Sequence, residues 1–278
     1  MTEVVAGDGS TSAGKGAAVV LEGVSVRYGA EQDNGGLLAV DQVSFRVEAG
    51  EFVSLVGPSG CGKSSLLRVI GGLQSPSEGS VSVLGAAPQE AQASKRLGLV
   101  PQEPALLPWR NVVENLRLPL QVNRDANHGP DRVGEMLALV GLETFAEYRP
   151  HELSGGMQQR VALARALVID PDVLLMDEPL AALDEITREQ MRYELLRIWS
   201  AAGERSKSVV FVTHSVAEAV TLSDRVVVMS QQPGRVKAEI KIDLPRPRRA
   251  EDQRGDAFLD YVEQIRDLLR DEVAEVVA

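Results

Sequence analysis

Phe52-Val-Ser-Leu-Val-Gly57-Pro-Ser-Gly-Cys-Gly-Lys-Ser64 joins a short apolar run to a glycine-rich turn that ends in Lys-Ser, and a helical run from Ser65 to Gly71 follows. The turn fits G-x-x-x-x-G-K-[ST] in the strand-before, helix-after setting that this pattern requires. Its glycines let the backbone wrap a phosphate with N–H groups exposed, and the helix N-terminus behind them adds partial positive charge. On this reading Gly57, Pro58, Ser59, Gly60, Cys61, Gly62, Lys63, Ser64 and Ser65 form a nucleotide-binding loop. Lys63 reaches the β- and γ-phosphates, and the Ser64 hydroxyl ligates magnesium. A turn that merely connects strand to helix would leave the terminal Lys-Ser without a purpose.

The second half of such a site is Val173-Leu-Leu-Met-Asp177-Glu178-Pro179. It reads as a buried strand whose two carboxylates emerge at the C-terminal end, where open parallel sheets bind ligands. Asp177 is placed to hold the metal through water, and Glu178, one residue on, to polarise an attacking water as a base. Apolar runs recur at Val209-Val-Phe-Val212 and Val226-Val-Val-Met229, each after a helix-length segment. Continuous apolar strands alternating with helices predict a doubly wound α/β core with a parallel sheet covered on both faces.

Toward the N-terminus, Val19-Val-Leu-Glu-Gly-Val-Ser-Val-Arg-Tyr28 and Val43-Ser-Phe-Arg-Val47 read as further strands around a polar loop at residues 29–37. Residues 104–153 differ, with Pro and Asn punctuation and a helical pattern in Arg132 to Val140, and predict a helical subdomain inserted in the core. Phe258, Leu259, Val262, Ile265, Leu269 and Val273 mark a C-terminal amphipathic helix, which either docks on the core surface or meets a partner. The first fifteen residues, rich in Gly, Ser, Thr and Ala, lack the apolar block of a signal peptide and read as a disordered tail.

Composition narrows the function. The 278-residue chain has a net charge of -11, which argues against a nucleic-acid footprint of clustered Lys and Arg. Its strongest apolar region, Val161 to Met176, is broken by Arg165, Asp170 and Asp172. Nothing therefore approaches the roughly 20 apolar residues needed to span a bilayer, and a soluble chain is expected. The one cysteine, Cys61, rules out an internal disulfide and is consistent with a reducing compartment.

Leu153-Ser-Gly-Gly-Met-Gln-Gln-Arg160 closely resembles the signature motif of ABC cassettes. Its chemistry is that of an anion-binding helix end: Ser154 is a good N-cap, and Gly155 and Gly156 leave backbone N–H groups accessible ahead of a helix expected over Met157 to Ile169. Met157 stands where Gln is most frequent in the family, a variation common among import cassettes. The resemblance covers roughly Val19 to Pro247. It implies an ABC cassette with a RecA-like P-loop core, an antiparallel β subdomain and a helical subdomain at about 104–165. The cassette would span residues 18–250, between a tail at 1–17 and a C-terminal helix at 251–278.

The same resemblance assigns roles one by one. Tyr28 matches the aromatic that stacks on adenine, and Gln102 the glutamine that contacts magnesium and the reacting water. Asp184 matches the loop that bridges subunits, and His214 the switch histidine near the γ-phosphate. His128 and His151 match no catalytic position. The family implies a head-to-tail homodimer with two ATP and magnesium sandwiched between the loop of one copy and Ser154, Gly155, Gly156 and Met157 of the other. It also implies a separate membrane permease and an extracytoplasmic solute-binding protein, with this chain peripheral on the cytoplasmic face of the cell membrane.

Pro101-Gln-Glu-Pro-Ala-Leu-Leu-Pro-Trp-Arg110, residues 177–188 and Met229-Ser-Gln-Gln-Pro-Gly-Arg-Val236 resemble the nitrate, sulfonate and taurine import cassettes. An export or lipid-transport cassette shares the catalytic motifs, and a soluble ABC ATPase acting on nucleic acid or ribosomes is a more distant alternative. Leu106, Leu107 and Trp109 are expected either to anchor a permease helix or to plug the subdomain core. Cys61 is either a thiol whose pKa Lys63 and the helix end lower, or a tolerated small residue.

Overall fold

The computed structural model describes residues 16–29, 36–123, 131–181, 183–201 and 207–277. The expected tail over the first fifteen residues, His128 and the side chain of Val273 lie outside the described residues. In chain order the elements are β1 (Ala17–Tyr28), β2 (Leu37–Glu48), β3 (Phe52–Val56), α1 (Lys63–Ile70), β4 (Glu78–Val83), α2 (Pro88–Ala93), β5 (Leu97–Val100), α3 (Val112–Val122) and α4 (Arg132–Val140). They continue with α5 (Gly155–Leu167), β6 (Val173–Asp177), α6 (Glu185–Ala201), β7 (Ser208–Thr213), α7 (Val216–Leu222), β8 (Arg225–Met229), β9 (Val236–Lys241) and α8 (Asp256–Val277).

The strands form an antiparallel sheet in the order β2-β1-β4 and a six-stranded sheet in the order β5-β6-β7-β3-β8-β9. Pairing is parallel from β5 through β8, and β9 closes the edge antiparallel to β8. Period-two geometry explains why the central strands are apolar throughout. Leu174, Met176, Val209 and Phe211 face one core together with the helices α3 to α6, whereas Val173, Leu175, Val210 and Val212 face a second core shared with α1 and the antiparallel sheet. Phe52 packs against Phe211 and edge-on to Trp199 of α6.

Four elements carry weak sequence signals for physical reasons. β4 is Glu-Gly-Ser-Val-Ser-Val and is half exposed, held by its register with β1 rather than by burial. β5 is only four residues long at the sheet edge. α3 contains Pro119, yet starts from a capping box in which Asn111 and Glu114 satisfy each other's backbone N–H groups. α5 starts two residues before the expected Met157, because Ser154 caps it through the Met157 N–H. The C-terminal helix α8 docks on the core, burying Phe258, Val262 and Ile265 against β8, β9 and α7. Each such side chain contributes about 1.5–3 kcal/mol, which is enough to hold the helix as part of the fold.

In Arg246-Pro-Arg-Arg, Arg246 and Arg248 are anchored to the core. Arg248 is buried and donates to the carbonyls of Val220, Thr221 and Ser223 at the C-terminal end of α7, and to Ile242 and Leu244. Burial, aided by neighbouring Arg246, lowers its pKa to about 10. Arg246 pairs with Asp224 and lies over the Trp199 ring at 4.3 Å. These two guanidinium groups fasten the start of the C-terminal segment to the sheet.

Candidate nucleotide site

The loop between β3 and α1 wraps tightly because Gly62 combines a left-handed backbone with a close approach to β2. Gly62 has φ +90, and a Cβ there would lie 2.4 Å from Val40 Cγ2 and 2.9 Å from the Ala39 carbonyl. Any other residue would lift the loop off β2. Lys63 is 6% exposed and folds its ammonium back on the loop, donating to the carbonyls of Gly57 at 2.9 Å and Pro58 at 2.8 Å. The loop thus holds its own lysine in place, ready to turn toward a phosphate.

A cavity of about 490 Å³ opens above this loop. Its walls are Tyr28, Leu37, Ala39, Ser59, Gly60, Gly62, Lys63, Ser64, Ser65, Gln102, Glu178 and Gln232, so residues far apart in sequence meet there. The Tyr28 hydroxyl donates to Gln74 Oε1 at 3.0 Å and lies in hydrogen-bond contact with Ser65 Oγ at 2.8 Å, which fixes the ring at the end of β1. Gln102 follows β5 and lies on the cavity wall.

At the end of β6 the two acids part. Ser64 Oγ donates to Asp177 Oδ1 at 2.9 Å. Burial pushes the Asp177 carboxyl above the usual range, an effect that the Ser64 bond opposes and the Glu178 charge reinforces. Glu178 has φ +44, a left-handed conformation that costs a non-glycine residue energy and persists only where its surroundings impose it. Its N–H donates to the Val212 carbonyl, and its Oε2 lies 3.3 Å from His214 Nδ1. The turn therefore sends Asp177 toward Ser64 and Glu178 toward the cavity and His214.

Two surrounding groups went unnoticed in the sequence. Glu218 on α7 is buried and accepts from Thr213 Oγ1 at 2.6 Å, while the Ser215 N–H donates to the same Thr213 oxygen, so the backbone on both sides of His214 is pinned. Burial raises the Glu218 carboxyl, with Thr213 and Arg192 opposing that rise. Arg188 donates to the carbonyls of Leu180 and Leu183, at 3.2 and 2.5 Å, and lies 3.9 Å from Glu218. The usable signal was the recurrence of charged residues one helical turn apart beside His214 and Asp184.

Ser154, Gly155, Gly156, Met157 and Asp184 do not line the cavity of their own chain. Gly156 and Asp184 meet elsewhere, through Thr187. Asp184 accepts from the Thr187 N–H at 3.0 Å, and that bond holds its carboxyl below the usual range. Gly156 packs against the same threonine so closely that a Cβ would lie 2.7 Å from Thr187 Cγ2. His151 is exposed in a short 3-10 turn.

Of the two readings of Cys61, the structure favours the tolerated small residue over the activated thiol. Cys61 is buried, and desolvation pushes its thiol up, outweighing the Lys63 ammonium 3.7 Å away. Native protein at neutral pH should accordingly react with a maleimide about tenfold or more slowly than free cysteine, with full reactivity restored in urea. Intact-mass measurement over time checks this, and rapid native labelling would contradict the buried placement.

A phosphate loop seated between the parallel strand β3 and its helix, facing an acid pair at the end of β6 with β7 between the two strands, defines a P-loop nucleoside triphosphatase. The family model described as ABC transporter matches residues 40–181. The uncharacterized ABC transporter ATP-binding protein MJ0412 of Methanocaldococcus jannaschii is 47% identical over 236 residues, covering 84% of this chain and 85% of that protein. The taurine import ATP-binding protein TauB of Burkholderia pseudomallei is 48% identical over 226 residues, covering 80% and 84%. The aliphatic sulfonates import ATP-binding protein SsuB of Bacillus cereus is 41% identical over 230 residues, covering 83% and 88%. Among solved structures, a dimeric post-hydrolysis state of the ATP-binding cassette MJ0796 bound to ADP and Pi superposes with a TM-score of 0.71 at 33% identity, covering 82% of this chain and all of that one. The chain belongs to the ABC transporter family, as an ATP-binding subunit that hydrolyses ATP.

Proposed function

We propose that this subunit drives uptake of a small organic sulfonate, of the taurine or alkanesulfonate kind, from the cytoplasmic face of a membrane through a separate permease that a solute-binding protein supplies. The sulfonate assignment rests on the names of relatives at 41 to 48% identity, because the transported molecule never meets these residues. The ATPase assignment rests on one observation: Lys63, Ser64, Gln102 and Glu178 converge on a single cavity. Among the described residues no helix is long and apolar enough to cross a membrane, so the motion must pass to a membrane partner.

In this proposal ATP lies with its base toward Tyr28 and its phosphates over the loop amides and Lys63. The oxygen donors Ser64 and Asp177, 2.9 Å apart, suit a hard divalent cation that keeps several waters, and Gln102 is at hand on the same wall. Magnesium there would neutralise phosphate charge. Glu178 orients and deprotonates the attacking water, and His214, held beside it, meets the γ-phosphate. Ser154 and Gly155 of a second copy close over that phosphate with the N-terminus of α5, while Asp184 bridges the two copies. ATP then favours the closed dimer by whatever these contacts add over the open one, and loss of the γ-phosphate removes that difference.

The surface offered to the permease lies beside Gln102. Trp109 is 68% exposed, which separates it from the subdomain core that Leu106 joins. Arg165 donates to the carbonyls of Pro104 and Ala105, and it also lines a groove of about 320 Å³ with Leu97, Leu99, Leu118, Pro119 and Val122. An apolar helix from the permease fits such a groove. Trp109→Glu is expected to leave the fold within about 0.5 kcal/mol, as exposed substitutions do, while lowering uptake at least tenfold with ATP hydrolysis retained. Vesicles carrying the permease and loaded with ATP measure both. Uptake of taurine and of an alkanesulfonate in the same vesicles tests the function itself: if neither is accumulated with this subunit and ATP present, the sulfonate proposal fails.

A further inference from the structure

We infer that the turn between β8 and β9 completes the nucleotide site and that Gln232 contacts the nucleoside half of the ligand. The inference rests on the cavity above the phosphate loop being the ATP site. The turn is stitched to β2 on both sides of Val40: the Gly234 N–H donates to the Ala39 carbonyl at 2.9 Å, and the Asp41 N–H donates to the Gly234 carbonyl at 3.0 Å. The Arg235 guanidinium adds an ion pair with Asp41. Gly234 also lies directly against the phosphate loop, since a Cβ on it would stand 1.9 Å from the Cys61 carbonyl oxygen. Only glycine brings the turn this close.

The placement carries Gln232 into the cavity wall. Its Nε2 lies 3.5 Å from the Leu38 carbonyl, a contact at the limit of a hydrogen bond and easily exchanged for a better one. The β1–β2 register pairs Tyr28 with Leu37, so Gln232 shares one end of the cavity with the aromatic ring, whereas Ser64 and Glu178 belong with Asp177 at the end of β6. A carboxamide offers both a donor and an acceptor and carries no charge. Its paired donor and acceptor suit a base edge or a ribose hydroxyl, whereas a phosphate could use only the donor and would gain less from an uncharged group. A residue over 150 positions beyond the loop thus joins the site, and no spacing rule in the loop motif points to it.

The test compares binding of Mg-ATP and of magnesium tripolyphosphate, which lacks the nucleoside, to the full chain by calorimetry. Gln232→Ala should weaken ATP about three- to tenfold and leave tripolyphosphate unchanged, and Gln232→Leu, which keeps the bulk, should do the same. Unchanged ATP affinity in Gln232→Ala overturns the inference, and so does equal weakening of both ligands, which would mean that the turn acts through the phosphate loop. Full ATP affinity in Gln232→Leu overturns the hydrogen-bonding role. Lys63→Ala in parallel should lose both ligands; if it binds both like the parent, the nucleotide-site assignment itself fails, apart from any part played by Gln232.

Discussion

Glu178→Gln should slow ATP hydrolysis by about two to four orders of magnitude while leaving Mg-ATP bound. The substitution keeps the volume of the side chain and an oxygen near His214, and removes only the capacity to take a proton from water. Its backbone conformation, φ +44, is imposed by the Val212 carbonyl and the strand end rather than by the carboxylate, so glutamine can occupy the same place. Binding depends on the loop and on Lys63, which the change does not touch. A loss confined to the chemical step should therefore appear in kcat, with the affinity for ATP kept. Because the γ-phosphate then persists, the proposed two-copy sandwich should accumulate with Mg-ATP. Single-turnover hydrolysis and light scattering read the two effects. A glutamine variant that turns over within about twofold of the parent would assign the base elsewhere.

Much of this site was legible because its parts are local. Residues 57 to 64 bring strand, turn and helix together in one short stretch, so the loop geometry is written in consecutive residues. Asp177 and Glu178 end a run of apolar residues that only a covered parallel strand tolerates. What escaped was either long-range or defined by pairing. β4 exists because its backbone is held by β1, and its Gly-Ser composition gives no hint of that. Gln232 reaches the cavity because the turn at Gly234 can press on the Cys61 carbonyl, a contact between two segments that carry no shared motif. Arg248 looks like a charged linker residue until the carbonyls at the end of α7 are found around it. The lowered-pKa alternative for Cys61 fails for a related reason. Proximity to Lys63 can be read from sequence, but burial cannot, and burial is the larger influence.

The same contrast bears on why the lysine is needed. Lys63→Ala should weaken Mg-ATP about 100-fold, a larger loss than any other single change in the loop. A charge-assisted hydrogen bond contributes about 1.5–3 kcal/mol, and the ammonium faces two phosphates. The lysine also carries a structural duty, since its ammonium satisfies the carbonyls of Gly57 and Pro58 when no nucleotide is bound. Alanine abandons both tasks, so the loop loses its internal clamp as well as its cation. Thermal unfolding with and without nucleotide separates the two. At Mg-ATP about 1,000-fold above the parent's Kd, the parent gains about 4 kcal/mol of stability from the ligand, whereas a variant bound 100-fold more weakly gains only about 1.4 kcal/mol. The nucleotide-free difference between parent and variant reports the clamp alone. Equal ligand stabilisation in both proteins would mean that the phosphates do not meet Lys63, and the nucleotide-site assignment would fail with it.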